Sequence, residues 1–344
     1  MSDSIILRRF YDMHVHFRKD AMLAEVLPFS ARYCGRAVAM PNTRPRAILN
    51  GYDAREYAQE MWAVLDVMQY PEFEPLLTIE IRDTTTPRMI AEARHAGVIA
   101  GKVYPRGLTT NSEHGLWDFT SDNIFRVFRK MEDVGMLLLL HGELDQERTL
   151  VTKREQAFLP MLAVLASEFP DLRIVLEHVS SRSGIEMVEM LGKNVAATIT
   201  AHHLCLTLND VIGDGLRPHH GCMPMPKDFD DRDALIEAAT GGNPKFFFGS
   251  DSAPHTRENK ECAKGACGVF TAPIVPELLA EIFERAGKLE RLEDFTSTFG
   301  EKFYGLPFNA GTIHLVKQDW IVPTQYGEIV PFKAGETLRW KMVE

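Results

Sequence analysis

The chain has 344 residues, of which 45% are hydrophobic and 25% charged, the composition of an ordinary globular protein with ample material for a large core. Its formal net charge of −10 argues against nucleic acid or an anionic membrane surface as the main partner. The amino terminus shows no apolar signal-peptide core, and apolar runs such as residues 136–140 are far too short to span a bilayer. The five cysteines are odd in number and widely spread, which favours reduced thiols and predicts a cytoplasmic protein.

Short apolar segments alternate with amphipathic stretches along the chain, which predicts strands alternating with helices. Helices are predicted at residues 53–67, 122–134 and 156–168, each with apolar residues on one face. The eight predicted strands cover residues 10–17, 36–40, 76–81, 98–104, 136–141, 173–178, 195–200 and 245–249.

Eight strands with helices between them predict a parallel sheet covered by helices. At this length a closed (β/α)8 TIM-type barrel is the leading interpretation, and an open doubly wound sheet is the alternative. No glycine-rich nucleotide-binding motif follows an early strand, which favours the barrel. We expect one domain over residues 1–344, in which residues 309–344 form a C-terminal extension packed on the barrel, with strand-like pieces at 313–316 and 320–322.

Polar side chains at the carboxyl ends of the predicted strands carry the candidate chemistry. His14 and His16 are two residues apart, so on a strand both point to the same face. The other candidates lie in or just after the fourth, fifth, sixth and eighth strands, and they are Lys102, His141, His178 and Asp251. Barrel active sites lie at the carboxyl ends of the strands. Four histidines and one aspartate meeting there form a zinc-type ligand set.

Lys102 needs its own explanation, because an ammonium group only donates hydrogen bonds and cannot bind a metal. If CO₂ adds to the neutral amine, the resulting carbamate is an anion whose two oxygens can bridge two cations. Taken singly, a strand histidine is more often a hydrogen-bonded core residue, and an aspartate after a strand is more often a turn or a helix cap. The coincidence of these residues at the ends of different strands favours two metal sites.

Six short segments carry the pattern of a known family. They are Asp-Met-His-Val-His-Phe-Arg at residues 12–18, Met-Pro-Asn-Thr at 40–43, Gly-Lys-Val-Tyr-Pro at 101–105, His-Gly-Glu at 141–143, Glu-His at 177–178 and Gly-Ser-Asp-Ser-Ala-Pro-His at 249–255. In this combination they resemble the amidohydrolase superfamily and, within it, the shorter dihydroorotase class. The resemblance runs from about Phe10 to residues 332–340, nearly the whole chain.

The resemblance implies a binuclear zinc centre and a set of substrate contacts. His14, His16 and Asp251 would hold the more buried ion, His141 and His178 would hold the other, and Lys102, carboxylated to a carbamate, would bridge both. The substrate contacts would be Arg18, Asn42 and His255 on a carboxylate, Met223 and Cys267 on the ring chiefly through backbone groups, Thr109 and Thr110 from a mobile loop, and His141. Cys267 departs from the family pattern, where a small residue is expected.

The activity implied by the resemblance is reversible hydrolysis of dihydroorotate to N-carbamoyl-aspartate, a step of pyrimidine biosynthesis. A hydroxide shared by the two zinc ions would attack the ring carbonyl, with Asp251 as general base and then general acid. The carboxylate clamp at Arg18 separates this interpretation from a hydantoinase or an allantoinase, which are the alternatives among cyclic amidases. A non-catalytic scaffold of this fold would be expected to lose ligands, whereas all six are present here. The family also suggests a homodimer acting on a small molecule.

Other histidines and cysteines receive no metal role. His202, His203, His219 and His220 are interpreted as loop residues or as residues behind the ligands, because the six-residue set is complete without them. Cys262 and Cys267 resemble a metal knuckle, but no second cysteine pair accompanies them, so we interpret their spacing as incidental.

Overall fold

The computed structural model describes residues 3–145 and 148–343, and within these ranges it contains eleven strands and eleven α-helices. The strands are β1 (Ser4–Arg8), β2 (Phe10–Val15), β3 (Cys34–Ala39), β4 (Glu74–Ile81), β5 (Ala100–Val103), β6 (Leu137–His141), β7 (Ile174–Glu177), β8 (Val195–Ile199), β9 (Phe246–Phe248), β10 (Thr312–Ile321) and β11 (Thr337–Val343). The helices are α1 (Asp20–Ala31), α2 (Gly51–Val67), α3 (Pro87–His95), α4 (Asp122–Val134), α5 (Arg154–Glu168), α6 (Arg182–Met190), α7 (Leu208–Ile212), α8 (Phe229–Thr240), α9 (Arg257–Lys260), α10 (Val275–Arg285) and α11 (Phe299–Tyr304).

Strands β2 to β9 pair in chain order, all parallel, as one eight-stranded sheet. The two outer strands of this sheet meet just beyond their carboxyl ends. Ser252 forms a parallel bridge with Val15, the Asp251 N–H donates to the His14 carbonyl at 2.8 Å, and the His16 N–H donates to the Ser252 carbonyl at 3.1 Å. The predicted closed barrel is therefore confirmed, and the open doubly wound alternative is wrong.

The interior of the barrel is filled by buried side chains at alternate strand positions. From the strands and their ends, this cluster contains Tyr11, Met13, Val38, Met40, Leu76, Ala100, Leu137, Leu139, Val175, Ala196 and Phe247, and helix α11 adds Tyr304. The register of β2 against β3 shifts between Asp12 and Val15, where β2 uses one more residue than its partner. Tyr11 faces inward before this irregularity, and Met13 and His14, which lie within it, both face inward. A bulge of this kind re-aims side chains next to a site.

Helix α4 shows how the sequence forms the outer layer. The Ser121 hydroxyl accepts a hydrogen bond from the Ile124 N–H at 3.4 Å and so caps the first turn. Gly135, at φ 68°, ends the helix in the left-handed conformation that glycine adopts without a steric penalty. The apolar face between these ends is buried against the strands and the neighbouring helices, and its residues are Ile124, Val127, Phe128 and Met131.

The first strand and the last two strands form a second, antiparallel sheet in the order β1-β10-β11. Sequence patterns predicted two separate pieces at 313–316 and 320–322, but β10 is one strand with an irregularity between Lys317 and Trp320. The pairing with β1 and the strand β11 were not predicted. Helix α10 holds β11 through buried carboxylates, since Glu277 accepts from the Met342 N–H at 3.3 Å.

Each predicted strand overlaps one barrel strand, with ends that differ by at most two residues, and the same holds for the three predicted helices. No helix within the described ranges is long and apolar enough to cross a membrane.

Candidate active site

A pocket opens where the barrel strands end, and most of the predicted site residues line it. Its lining consists of His14, His16, Arg18, Asn42, Tyr104, Thr109, Thr110, His141, His178, Met223, Asp251, Ala253, Cys267 and Gly268. Two predicted residues, Lys102 and His255, lie directly behind this lining, where Lys102 is fully buried and His255 touches Arg18. Tyr104, Ala253 and Gly268 line the pocket without having been predicted as site residues.

His14, His16 and Asp251 form one compact group at the barrel closure. Asp251 Oδ1 lies 3.3 Å from Nε2 of His14 and 3.1 Å from Nε2 of His16, and the two ring nitrogens are 3.3 Å apart. Burial lowers the pKa of His14 to about 3 and also lowers that of His16, so both rings are neutral. Burial opposes ionisation of Asp251, but His14 and then His16 hold its pKa well below the usual value. Two neutral imidazoles and a carboxylate are ligands that suit a divalent zinc ion.

The buried carboxylate of Asp12 ties β2 to the turn that carries Asp251. Its Oδ1 accepts from the Ser250 N–H at 2.8 Å and from the His14 N–H at 3.1 Å. Desolvation by burial raises the pKa of Asp12 to about 7. Because Ser250 precedes Asp251, this carboxylate fixes the relative position of the His14 and Asp251 backbones.

Two glutamates orient the histidines from behind, and the sequence patterns alone did not single them out. Glu177 contacts Nδ1 of His14, which leaves Nε2 directed at Asp251. Glu143 lies 2.8 Å from Nε2 of His141 and so leaves Nδ1 of that ring for another partner. A carboxylate behind a histidine fixes the tautomer that binds a metal. The signal was present, since each glutamate lies next to or two residues from a predicted ligand in the segments 141–143 and 177–178.

His178 lies between His14 and His141, and Lys102 is buried close to the same histidines. The His178 ring centroid lies 4.6 Å from that of His141 and 5.1 Å from that of His14. Neither Lys102 Nζ nor His178 Nδ1 has a hydrogen-bond partner among the described residues, although both atoms are buried. Burial lowers the pKa of Lys102 to about 7 and holds that of His178 well below its usual value. Buried polar atoms left without partners are costly, and a bound cation satisfies the histidine nitrogen.

The backbone is strained at His178 and at Asp251, two of the candidate ligands. His178 has φ 43° and Asp251 has φ 42°, in the left-handed region that residues other than glycine rarely adopt. Non-glycine residues held there persist only when their surroundings fix them, and they cluster at functional sites. Hydrogen bonds supply this constraint, because the His178 N–H donates to Thr198 Oγ1 at 2.7 Å and the Asp251 N–H donates to the His14 carbonyl.

Arg18 places an unpaired cation at the rim of the pocket. Its Nε donates to the Pro254 carbonyl at 3.1 Å, and its Nη2 lies 3.1 Å from Nε2 of His255. Burial, followed by the charge of Arg18, lowers the pKa of His255 to about 2, so this ring is neutral. Arg18 forms no ion pair with a carboxylate in the part of the chain that the structure describes. An arginine without a protein counter-ion favours an anionic ligand.

Asn42 and the loop carrying Thr109 and Thr110 form the opposite wall. Asn42 Nδ2 donates to the Thr110 carbonyl at 3.0 Å, while its buried Oδ1 lacks a partner among the described residues. Thr110 Oγ1 donates to the Cys267 carbonyl at 3.1 Å and so joins the loop to the far side of the pocket. Cys267 is thus engaged through its backbone, while Met223 lines the pocket beside it.

A second group of metal-type side chains, His202, His203 and Cys222, lies nearby and is fully buried. His203 is already hydrogen-bonded, because its Nδ1 lies 2.8 Å from Thr200 Oγ1 and its Nε2 lies 2.9 Å from the Pro224 carbonyl. An imidazole that donates from Nε2 has no lone pair there for a metal. Of the other histidines and cysteines, His219 pairs with Glu261 at 2.8 Å, and Cys262 is exposed.

Comparison with known proteins places these residues in a family. No protein-family model matches the chain. A dihydroorotase of Hahella chejuensis is 44% identical over 347 residues and one of Aromatoleum aromaticum is 45% identical over 347 residues, each match covering 99% of both chains. The crystal structure of dihydroorotase from Saccharomyces cerevisiae in complex with 5-fluoroorotic acid has a TM-score of 0.91 and 35% identity, and the match covers 99% of both chains.

A D-hydantoinase structure has a TM-score of 0.77 with 13% identity and covers 99% of this chain and 83% of its own, which shows the shared fold alone. The full-length matches above 40% identity show a closer relationship than a shared fold. Together with the strand-end histidines, they show that the chain belongs to the dihydroorotase family.

Proposed function

We propose that this chain hydrolyses dihydroorotate reversibly to N-carbamoyl-aspartate in pyrimidine biosynthesis, at a centre of two zinc ions. One observation carries the proposal: the unpaired cation of Arg18 lies on the same pocket as the neutral histidines and Asp251. A cyclic amide that carries a carboxylate matches both features. The names of the curated relatives and the 5-fluoroorotic acid complex of the yeast structure support the same substrate class.

The residues present fit two ions. His14, His16 and Asp251 would hold one, His141 and His178 would hold the other, and carboxylated Lys102 would be shared. Burial supports the carboxylation, because a lysine with a pKa of about 7 offers a neutral amine to CO₂ near neutral pH. The amine attacks the carbon of CO₂, loses one proton and becomes the carbamate. Zinc, when bound, supplies a water of lowered pKa and polarises the ring carbonyl.

The protein's own groups would position the substrate and move the proton. Arg18 would form a charge-assisted hydrogen bond with the substrate carboxylate, and Asn42 and the neutral His255 would complete the clamp. With Oδ1 directed at the two histidines, Asp251 would accept the proton of the attacking water at its other oxygen. It would then return this proton to the leaving ring nitrogen, as general base and then general acid. The bridge from Thr110 to Cys267 would exclude water from the pocket.

An ultraviolet assay on zinc-loaded protein tests the activity directly. Loss of dihydroorotate absorbance is followed, with hydantoin and allantoin as control substrates. We expect hydrolysis of dihydroorotate alone, because only this substrate carries the carboxylate that the Arg18 clamp requires. Hydrolysis of the controls but not of dihydroorotate would contradict the proposal and favour another cyclic amidase.

The remaining expectations also belong to this proposal. The family resemblance supports a homodimer, which light scattering on the purified chain would test. All five cysteines are free thiols, which supports a reducing compartment such as the cytoplasm.

A further inference from the structure

Lys260, the last residue of α9, is a buried lysine that has no role in the proposed hydrolysis. It is 4% exposed, and its ammonium donates to two backbone carbonyls, those of Gly268 and Gly221, the latter at 3.3 Å. Within residues 3–145 and 148–343, no carboxylate lies at ion-pair distance from it. Its titratable neighbours are the thiols of Cys267 and Cys222, whose pKa values are raised by burial so that both stay neutral, and the cation of Arg18. Burying a cation without an anion is costly, so its two carbonyl partners must offset that cost.

The two carbonyls belong to the segments that form one wall of the pocket. Gly268 follows Cys267, whose carbonyl accepts from Thr110 Oγ1 at 3.1 Å and lies 3.1 Å from His255 Nε2. Gly221 precedes Met223 by two residues and accepts the Gly268 N–H at 2.8 Å. Lys260 therefore joins the Met223 segment to the Cys267 segment from behind, out of reach of the substrate.

Gly268 is itself packed tightly against residues 253–255. A Cβ atom on Gly268, at φ 148°, would lie 2.5 Å from the Ala253 carbonyl and 3.0 Å from His255 Cδ2. If the ammonium were removed, the Gly268 carbonyl would lose its donor, and the Gly221 carbonyl would keep only the Gly268 N–H. Buried acceptors left in that state move apart or admit water, and either change displaces the backbone that faces the substrate.

We propose that Lys260 is a positioning residue, which holds the Gly221–Met223 and Cys267–Gly268 segments together so that their backbone fits the substrate ring. It acts through these two segments and takes no part in proton transfer. The proposal rests on the proposed function, because the ring is that of dihydroorotate. It assigns Lys260 to substrate affinity and leaves the hydrolytic step to Asp251 and the metal ligands.

The test compares Lys260→Met with Lys245→Met, a matched control at the other end of the barrel. Lys245 Nζ also binds only backbone carbonyls, those of Val188 at 2.8 Å, Leu191 at 2.6 Å and Gly192 at 3.1 Å, just before β9 begins. Both substitutions keep the length of the side chain and remove its donors. We expect both to lower the melting temperature, whereas only Lys260→Met should change substrate binding.

For Lys260→Met, we expect KM for dihydroorotate to rise on the order of 10- to 100-fold, with kcat changed only a few-fold. Calorimetry should show orotate, a ring analogue that is not hydrolysed, binding more weakly by a similar factor. Hydrogen exchange should increase in residues 221–225 and 266–268 in this variant alone. Zinc content should equal that of the wild type.

The proposal is overturned if KM and orotate affinity in Lys260→Met match those of Lys245→Met, because Lys260 would then serve stability alone. A fall in kcat with unchanged KM overturns it as well. If Lys260→Met does not fold, Lys260→Gln, which keeps two N–H donors, is measured against the same control. A wild-type protein that binds orotate but does not hydrolyse dihydroorotate would contradict the proposed function instead, and the calorimetric comparison would still decide the role of Lys260.

Discussion

His14 turns Nδ1 towards the buried carboxylate of Glu177, and Asp251 therefore meets the opposite ring nitrogen, Nε2, at 3.3 Å. Glu177 thus sets the tautomer of the His14 ring, and Asp251 lies beside the ring nitrogen that is proposed to bind a metal ion. Glu177 is itself held close to Lys102, with Oε2 3.8 Å from Nζ. The same side chain consequently contacts His14, a proposed ligand, and lies close to Lys102, the residue proposed to bridge the ions.

Replacing Glu177 by Gln should weaken metal binding while leaving the fold intact. The amide can still contact His14, but it no longer raises the basicity of the ring. We expect zinc affinity to fall by about 10- to 100-fold, measured as zinc retained after dialysis against a graded chelator. Glu74→Gln, which removes an exposed partner of Arg36, is the control. Equal zinc retention in the two variants would show that Glu177 does not tune the site.

Arg18→Met should remove recognition of the substrate carboxylate. The loss of a charge-assisted contact to an anion is worth about 2–5 kcal/mol, so kcat/KM for dihydroorotate should fall by about 30- to 5,000-fold. Zinc content should not change, because Arg18 contacts Pro254 and His255 rather than the histidine ligands. Steady-state kinetics together with metal analysis check both expectations. Wild-type activity in this variant would refute the carboxylate clamp.

Zinc and CO₂ should activate the metal-free protein at a rate whose pH dependence reports the pKa of Lys102. A free lysine has a pKa near 10.5, whereas burial lowers that of Lys102 to about 7, so the reactive neutral amine is already abundant near neutral pH. At fixed dissolved CO₂, the activation rate should rise about fivefold from pH 6 to pH 7 and level off above about pH 8. A rate that continues to rise tenfold per pH unit up to pH 9 would indicate an ordinary lysine.

Asp12→Asn should change how stability depends on pH in the metal-free protein. Burial raises the pKa of Asp12 from 3.8 to about 7, so the folded chain binds more protons than the unfolded chain between these values. The contribution of Asp12 to stability is then fully present below about pH 4 and is lost as pH rises through 7. The free energy of unfolding of Asp12→Asn minus that of the wild type should therefore increase between pH 4 and pH 8. Urea unfolding at several pH values measures the difference, and a constant difference would exclude an elevated pKa.

The barrel could be predicted because its strands are buried on both faces and read as short apolar runs, and because helical patterns separate most of these runs. The position of active sites at strand ends is enough to predict that His14, Lys102, His141, His178 and Asp251 meet at one pocket. The substrate contacts depended on the family resemblance, since Asn42 or Thr110 alone is indistinguishable from an ordinary loop residue.

What the sequence could not predict depends on contacts between distant segments. The bulge that contains Met13 and His14 is visible only as a register shift against β3, and the left-handed backbone of His178 is fixed by Thr198 from the next strand. The sheet β1-β10-β11 joins residues about 310 positions apart, as in the pairing of Ser4 with Val316. No local periodicity in the sequence indicates such a pairing.

That small sheet also brings Ser4 and Val343, near the two ends of the described residues, close together. Ser4 pairs with Val316 on one side of β10, and Val343 pairs with His314 on the other side, two residues away. With neighbouring strands about 4.8 Å apart, the two ends lie roughly 10 Å from each other. A short glycine-serine linker could therefore join them, and new termini could be opened in a surface loop. Such a circular permutant would leave every barrel strand in place, so its ligands would still meet in the same pocket.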